Sequence, residues 1–171
     1  MISNLKYMVI DVDGTLTDGG IYYDNNGNEF KKFNTKDAAG IFALQKMNIK
    51  VIVITGRECN ATMRRLEELK IDHVFQNIKD KKTFLANFMN DNGISKEKIG
   101  YIGDDLNDYA SMQLVNFIGC PNDACSEIKK ISNCISDKNG GFGAVRDIIE
   151  KSLKSEGKWD EVIKNIYNIG I

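Results

Sequence analysis

Met8-Val9-Ile10-Asp11-Val12-Asp13-Gly14-Thr15-Leu16-Thr17-Asp18 runs from an apolar segment straight into two carboxylates, a glycine and a threonine, and its reading decides the fold. An apolar run of strand length that ends in a polar, glycine-containing loop reads as a buried strand with its carboxyl end at the surface, where open α/β sheets place their ligands. Asp11 and Asp13 stand two residues apart, so along an extended path their side chains point the same way. Held close together, they need a cation or a shared proton, because like charges at short range push one pKa up. The plain alternative is an Asp-Gly turn with no further role. The rest of the chain decides between the two.

The same pattern recurs twice downstream. Lys50-Val51-Ile52-Val53-Ile54 is a β-branched run that ends in Thr55-Gly56-Arg57, and Lys98-Ile99-Gly100-Tyr101-Ile102 ends in Gly103-Asp104-Asp105. Helical patterns lie between them: Ala38 to Met47 after a cap at Asn34–Asp37, Asn60 to Lys70, and Asp80 to Asn92 closing at Gly93. Asp72 to Gln76 reads as a short strand, Leu106 to Leu114 as a helix and Asn116 to Gly119 as a last core strand. A short helix over Ala124–Lys130, an edge strand at Asn133–Ile135, a helix from Ala144 to about Lys154 and a final one over Trp159–Ile166 complete the chain. Strands alternating with helices predict a doubly wound, mostly parallel α/β sheet of Rossmann-like type. Within it, Ile21–Asp24 and Glu29–Phe33 flank Asn25-Asn26-Gly27-Asn28, which predicts a protruding β-hairpin over about 20–33. An isolated ribbon is marginal in water, so it should lean on the domain, a partner subunit or a ligand.

Bulk composition bounds the function. A chain of 171 residues is one ordinary domain, spanning 1–171 with a tail over about 155–171. Its 23 basic residues against 24 acidic ones argue against nucleic acid or an anionic membrane surface as partner. Cys59, Cys120, Cys125 and Cys134 form no Cys-x-x-Cys pair, so neither a zinc site nor a redox dithiol is indicated, and free thiols suit a reducing compartment. No segment reaches the roughly 20 apolar residues of a membrane span, and the first residues lack a signal-peptide core. The expected location is cytoplasmic.

The strand ends bring Asp11 with Asp13, Thr55, and Asp104 with Asp105 to one crevice, and Lys81 opens a helix at the same edge. Three or more carboxylates with one lysine form a hard-cation, phosphate-handling set: oxygen ligands select Mg²⁺ and the ammonium neutralises phosphoryl charge. Phosphoryl transfer needs mostly positioning and charge neutralisation, which such a set supplies. Between Asp13 and Thr55 there is room for one hairpin and one helix, and between Lys81 and Asp104 for one helix and one strand. No lid domain fits in either gap. A site that must exclude water then borrows its cover, and another subunit is the simplest source.

Asp11-Val12-Asp13-Gly14-Thr15, Ile54-Thr55-Gly56-Arg57, Lys81 and Gly103-Asp104-Asp105-Leu106-Asn107-Asp108, in that order, resemble the four-motif signature of the haloacid dehalogenase superfamily of phosphatases. The resemblance implies that Asp11 is the nucleophile that becomes an aspartyl-phosphate, and that Asp13 is general acid and then base. It implies that Thr55 and Lys81 hold the transferring phosphoryl group. Mg²⁺ would be bound by the Asp11 side chain, the Asp13 main-chain carbonyl and Asp104, with Asp105, Asn107 and Asp108 near or behind it. Asp18-Gly19-Gly20, Phe33-Asn34-Thr35-Lys36-Asp37, Gly40-Ile41 and Gly140-Gly141-x-Gly143-Ala144-Val145-Arg146-Asp147 extend the likeness to capless phosphatases of phosphorylated sugar acids. That branch includes the 3-deoxy-D-manno-octulosonate 8-phosphate phosphatases and nine-carbon, sialic-acid-type relatives, and its members are typically homotetramers. Arg57 fits the eight-carbon pattern; Tyr23-Asp24 and Lys31–Thr35 lean toward the nine-carbon, nonulosonate group.

Gly56 and Arg57, with Lys32, Lys36, Arg65 and Arg146, are the candidates to receive the substrate, the cations through its carboxylate. Each cation is equally readable as a solvated or salt-bridged surface residue. His73 reads as structural, and Gly140–Gly143 as either a helix start or an anion-binding turn. A receiver-type signalling domain also gathers carboxylates, a Thr and a Lys, but its phosphoacceptor lies on the third strand and its Thr and Lys come late. A catalytically idle scaffold that assembles through the hairpin is the remaining alternative.

Overall fold

The computed structural model describes residues 1–169. In chain order its elements are β1 (Tyr7–Ile10), β2 (Tyr22–Tyr23), β3 (Glu29–Phe30), α1 (Asp37–Lys46), β4 (Lys50–Ile54), α2 (Asn60–Glu68), β5 (His73–Phe75), α3 (Lys81–Asp91), β6 (Ile99–Ile102), α4 (Leu106–Met112), β7 (Phe117–Cys120), α5 (Ser126–Ile131), β8 (Cys134–Ile135), α6 (Ala144–Ser155) and α7 (Trp159–Tyr167). Six strands form one parallel sheet in the order β5–β4–β1–β6–β7–β8. From the central β1 the chain winds outward to β4 and β5, then crosses back to β6 and winds the other way. The strand order therefore reverses between β1 and β6, where the loops diverge and leave a crevice.

Alternation along the strands explains the layers. Met8, Ile10, Val51 and Val53 face α1, α6 and α7, packing with Ile41, Leu44, Val145, Ile148 and Trp159. Val9, Ile52, Ile54 and Tyr101 face the opposite layer, with Leu85 of α3, Met112 of α4 and Ile128 of α5. Each fully buried Ile or Leu contributes about 1.5–3 kcal/mol, so this sheet is the rigid platform. His73 stacks on Phe75 and meets Phe88 edge-on, a packing role. Trp159 is buried in the first layer and Tyr167 is about half exposed. Among the described residues no helix is long and apolar enough to cross a membrane.

The hairpin is shorter than its sequence predicts: β2 and β3 pair over two residues each, with an isolated bridge between Thr17 and Phe33. Asp24 closes the tip by accepting from Asn26 N (2.9 Å) and Asn28 N (2.8 Å), and the ladder ends because the following residues turn back onto the domain. The ribbon leans on the domain. Arg57 Nη2 donates to Glu29 Oε2 at 2.8 Å and to Tyr23 OH at 3.4 Å.

Asp37, buried in the first turn of α1, accepts from Arg146 N at 3.0 Å and so caps the start of α6, while its Oδ2 has no partner. Burial pushes its carboxyl up to about 6. A folded-state value above the unfolded one means that the folded chain binds the proton more readily between about pH 4 and 6, so stability falls as pH rises through that window. The swing is at most about 3 kcal/mol, and Asp37→Asn is expected to flatten it. Urea unfolding at pH 5 and pH 7.5 measures this; an unchanged difference in the variant contradicts it.

Candidate active site

Asp11 directly follows β1, and its N donates to Ile102 O of β6 at 2.9 Å, so the first carboxylate starts at the switch point. The chain then makes one wide turn over Val12–Leu16, closed by Thr17 N on Val12 O at 2.9 Å, with Gly14 at φ +89°. Gly14 is required twice over: a Cβ there would lie 2.1 Å from Asp104 Oδ2. Gly140 presses on the same turn, where a Cβ would lie 1.8 Å from Gly14 O. The amides of Gly140 and Gly141 are taken by Asp123 Oδ1 (2.9 Å) and Thr15 O (3.3 Å). Those glycines serve close packing against the turn, rather than anion binding.

Lys81, in the first turn of α3 after the Asp80 cap, is buried and donates to Asp11 Oδ1 at 2.6 Å and to Asp108 Oδ1 at 2.7 Å. Asp108 is fully engaged: Oδ1 also accepts from Tyr101 OH at 2.7 Å, and Oδ2 from Asp104 N at 3.2 Å. Thr15 Oγ1 holds Asp104 Oδ1 at 2.8 Å. Asp11 Oδ2 and Asp104 Oδ2 are left without a hydrogen bond among the described residues.

Three buried or half-buried carboxylates share one ammonium. Burial, then Asp108, raises the Asp11 pKa well above the carboxylate range, against Lys81, which lowers it. Burial, with Asp108 and Asp105, raises Asp104 to about 7 despite the Thr15 hydrogen bond. Burial acts to lower Lys81, but Asp11 and Asp108 outweigh it and its pKa is raised. Oxygens of Asp11, Asp104 and Asp108 lie within 4.8 Å of one another. Such an all-oxygen set, short of positive charge, fits a hard divalent cation.

Thr55 follows β4 and its Oγ1 lies 3.5 Å from Asp13 Oδ2, accepting from Arg57 N at 3.3 Å. Asp11, Asp13, Thr55, Lys81, Asp104 and Asp108 thus meet in one crevice. Asp105 caps α4 by accepting from Leu106 N at 2.8 Å, and Asn107 is exposed on that helix. The expected substrate cations scatter. Arg57, beside Gly56, is held by Glu29 and Tyr23, and Lys32 lies 3.3 Å over the Phe142 ring. Arg65 pairs with Glu68 at 3.1 Å and Arg146 with Glu150 at 3.0 Å. Lys36 and Arg146 line a separate cavity of about 390 Å³ with Thr35, Ala39, Ile163 and Tyr167.

Two cationic or acidic neighbours escape a reading by strand ends. Lys31 reaches Asp13 Oδ1, and Tyr101 orients Asp108 from inside the sheet. Neither follows from where a strand ends: Lys31 lies just past the two-residue β3, and Tyr101 lies within β6.

Residues 21–118 match the family model of the haloacid dehalogenase-like hydrolases, a stretch that includes Thr55, Lys81 and Asp104 but starts after Asp11. The 3-deoxy-D-manno-octulosonate 8-phosphate phosphatase KdsC of Salmonella typhi is 35% identical over 158 residues, covering 92% of this chain and 84% of that protein. The Moraxella catarrhalis 3-deoxy-D-manno-octulosonate 8-phosphate phosphatase, solved with magnesium, phosphate and KDO, superposes with a TM-score of 0.89 at 36% identity, covering 96% of this chain and 95% of that one. The cobalt-bound Haemophilus influenzae enzyme gives a TM-score of 0.84 at 33% identity, with 92% of each chain covered. Fold, order of motifs and relatedness over nearly the full length agree: the chain belongs to the haloacid dehalogenase-like hydrolases and is a phosphoric monoester hydrolase of that family.

Proposed function

We propose that this chain is a Mg²⁺-dependent phosphatase of a 2-keto-3-deoxy sugar acid, 3-deoxy-D-manno-octulosonate 8-phosphate, working through an aspartyl-phosphate on Asp11. The observation that carries the reading is the pair of unclaimed oxygens, Asp11 Oδ2 and Asp104 Oδ2, beside a buried Lys81 at the sheet's switch point. The Asp11 and Asp104 side chains and the Asp13 carbonyl would hold the metal, with Asp108 orienting Lys81 and the Asp104 backbone, and Asp105 and Asn107 outside them. Bound Mg²⁺ supplies positive charge that offsets both the carboxylates and the phosphoryl oxygens.

Asp11 Oδ2 attacks phosphorus while the ester P–O bond breaks, its electron pair passing to the leaving oxygen, which takes a proton from Asp13. The Asp13 carboxylate then accepts a proton from water as that water attacks phosphorus, releasing phosphate and restoring Asp11. Lys81 and Thr55 hold the phosphoryl oxygens throughout.

A nine-carbon nonulosonate 9-phosphate is the second reading. Arg57, the residue that fits the eight-carbon pattern, has its guanidinium committed to Glu29 and Tyr23. An idle scaffold has no use for a buried Lys81 between two carboxylates, an arrangement costly to keep without chemistry. The chain acts as one domain, in the cytoplasm in keeping with its four free thiols. Ile21, Tyr22, Tyr23 and Phe30 expose about half or more of their surface on the hairpin, an apolar patch suited to a homotetramer in which a neighbour covers the crevice.

Steady-state rates on the two sugar-acid phosphates, with and without Mg²⁺, test this reading on a preparation sized by light scattering. Faster, Mg²⁺-dependent turnover of the eight-carbon ester by a particle several-fold above 19.2 kDa is expected. The reverse preference selects the nine-carbon acid, and turnover of neither overturns the substrate class. A fully active monomer removes the tetramer.

A further inference from the structure

The hairpin delivers one charge that the reaction above does not use. The Lys31 ammonium, just past β3, donates to Asp13 Oδ1 with Glu29 Oε1 3.4 Å away, and its side chain is only 1% exposed. Lysine is almost never buried without a partner, because losing its hydration and its rotamers is unfavourable. Here the partner is the acid–base carboxyl itself. Glu29 also takes Arg57, so charges of alternating sign run from Asp13 through Lys31 and Glu29 to Arg57, joining the loop after β1 to the hairpin and the loop after β4.

This arrangement fixes where the leaving group departs. An oxygen that takes a proton from Asp13 must come within about 2.6–3.2 Å of that carboxyl. Oδ1 is held by Lys31 and Oδ2 faces Thr55, so the departing oxygen arrives within about two hydrogen-bond lengths of the ammonium. A fixed positive charge there favours negative charge developing on that oxygen, and it matters most for the most basic leaving groups.

We propose that Lys31 is a positioning residue for the leaving-group end of the reaction, aiming Asp13 and fastening the hairpin over the departing oxygen. The proposal rests on the phosphatase reading of Asp11 and Asp13. The P–O electron pair still goes to the leaving oxygen and the proton still comes from Asp13; Lys31 keeps its own proton throughout.

Lys31→Met, Lys31→Gln and Lys31→Arg are compared with the unaltered chain on 3-deoxy-D-manno-octulosonate 8-phosphate, whose alkoxide needs a proton to leave, and on p-nitrophenyl phosphate, whose phenolate does not. The neutral variants are expected to lower the alkyl-to-aryl ratio of kcat/KM by at least ~10-fold, through kcat rather than KM, since positioned proton transfer contributes about 10²–10⁴. Lys31→Arg should restore most of the ratio. Equal losses on both esters mark a merely structural role and overturn the proposal, as does an unmoved ratio; the glutamine variant gives the same reading should the methionine one not fold. An unaltered chain that hydrolyses neither ester overturns the phosphatase reading, and this proposal with it. Normal turnover with an unmoved ratio removes only the role of Lys31.

Discussion

Asp11→Asn is expected to abolish phosphate release, by about 10⁴–10⁶ in kcat, the loss seen when a hydrolase is deprived of its nucleophile. The amide keeps the shape of the carboxyl, so Asn Oδ1 can still accept from Lys81 Nζ, which donates to Asp11 at 2.6 Å in the parent chain. What it lacks is a nucleophilic oxygen with a full negative charge. Stability should move the other way. Burial and then Asp108 raise the Asp11 pKa, against Lys81, which lowers it, so a neutral isostere is spared the desolvation of a charge and relieves repulsion from Asp108 and Asp104. In the absence of metal, the variant should therefore melt no lower than the parent while turning over no substrate. That pairing separates lost chemistry from lost fold. Phosphate release from the variant at the parent rate removes Asp11 as nucleophile and sinks the aspartyl-phosphate route.

The parts of the site legible in the sequence are those that a strand places by ending. Asp11, Thr55 and Asp104 each follow an apolar run, and in a parallel sheet the ends of such runs share one edge, so their meeting follows from periodicity alone. Lys81 was legible for a related reason, lying at the start of the helix that reads from Asp80 at the same edge. Side chains whose role depends on tertiary direction were not legible. Tyr101 reads as one more core aromatic in β6, yet its hydroxyl crosses to Asp108 and helps fix it between Lys81 and Asp104. Arg57 reads as a free cation beside the crevice until Glu29 of the hairpin takes its guanidinium, a contact 28 residues away along the chain. Lys31 was hidden because the ribbon's strands pair over only two residues each, too short for alternation to show which face meets the domain. A cavity of about 650 Å³ lies around Met1, Phe117 and Glu156, at the amino end of β7, whereas the site is an open crevice at the carboxyl ends.

Lys81→Met carries the second large effect, and its sign depends on the metal. In the folded chain Lys81 Nζ stands between Asp11 Oδ1 and Asp108 Oδ1, at 2.6 and 2.7 Å, and its side chain is about 1% exposed. Removing it leaves two buried carboxylates, with Asp104 beside them, and no cation to offset their desolvation. Breaking a buried pair from one side costs about 3–5 kcal/mol, or roughly 6–20 °C in Tm for a chain of this size. In the parent, burial first and then repulsion among the neighbouring carboxylates raise Asp11 and Asp104, and a divalent cation should compensate for that repulsion. Millimolar Mg²⁺ is therefore expected to raise the melting temperature of the variant by more than it raises that of the parent, since the ion binds the folded carboxylate cluster and not the unfolded chain. Activity should not recover with stability. In the proposed mechanism the ammonium also holds a phosphoryl oxygen and restrains Asp11, and losing one such preorganised donor is expected to lower kcat by about 10²–10³ even at saturating metal. Calorimetric scans of both proteins across a Mg²⁺ titration, beside rates at saturation, decide the matter. A variant that melts like the parent without metal means that the three carboxylates are not held as one charged cluster, and a Mg²⁺ response equal in both proteins means that the metal is not what balances them.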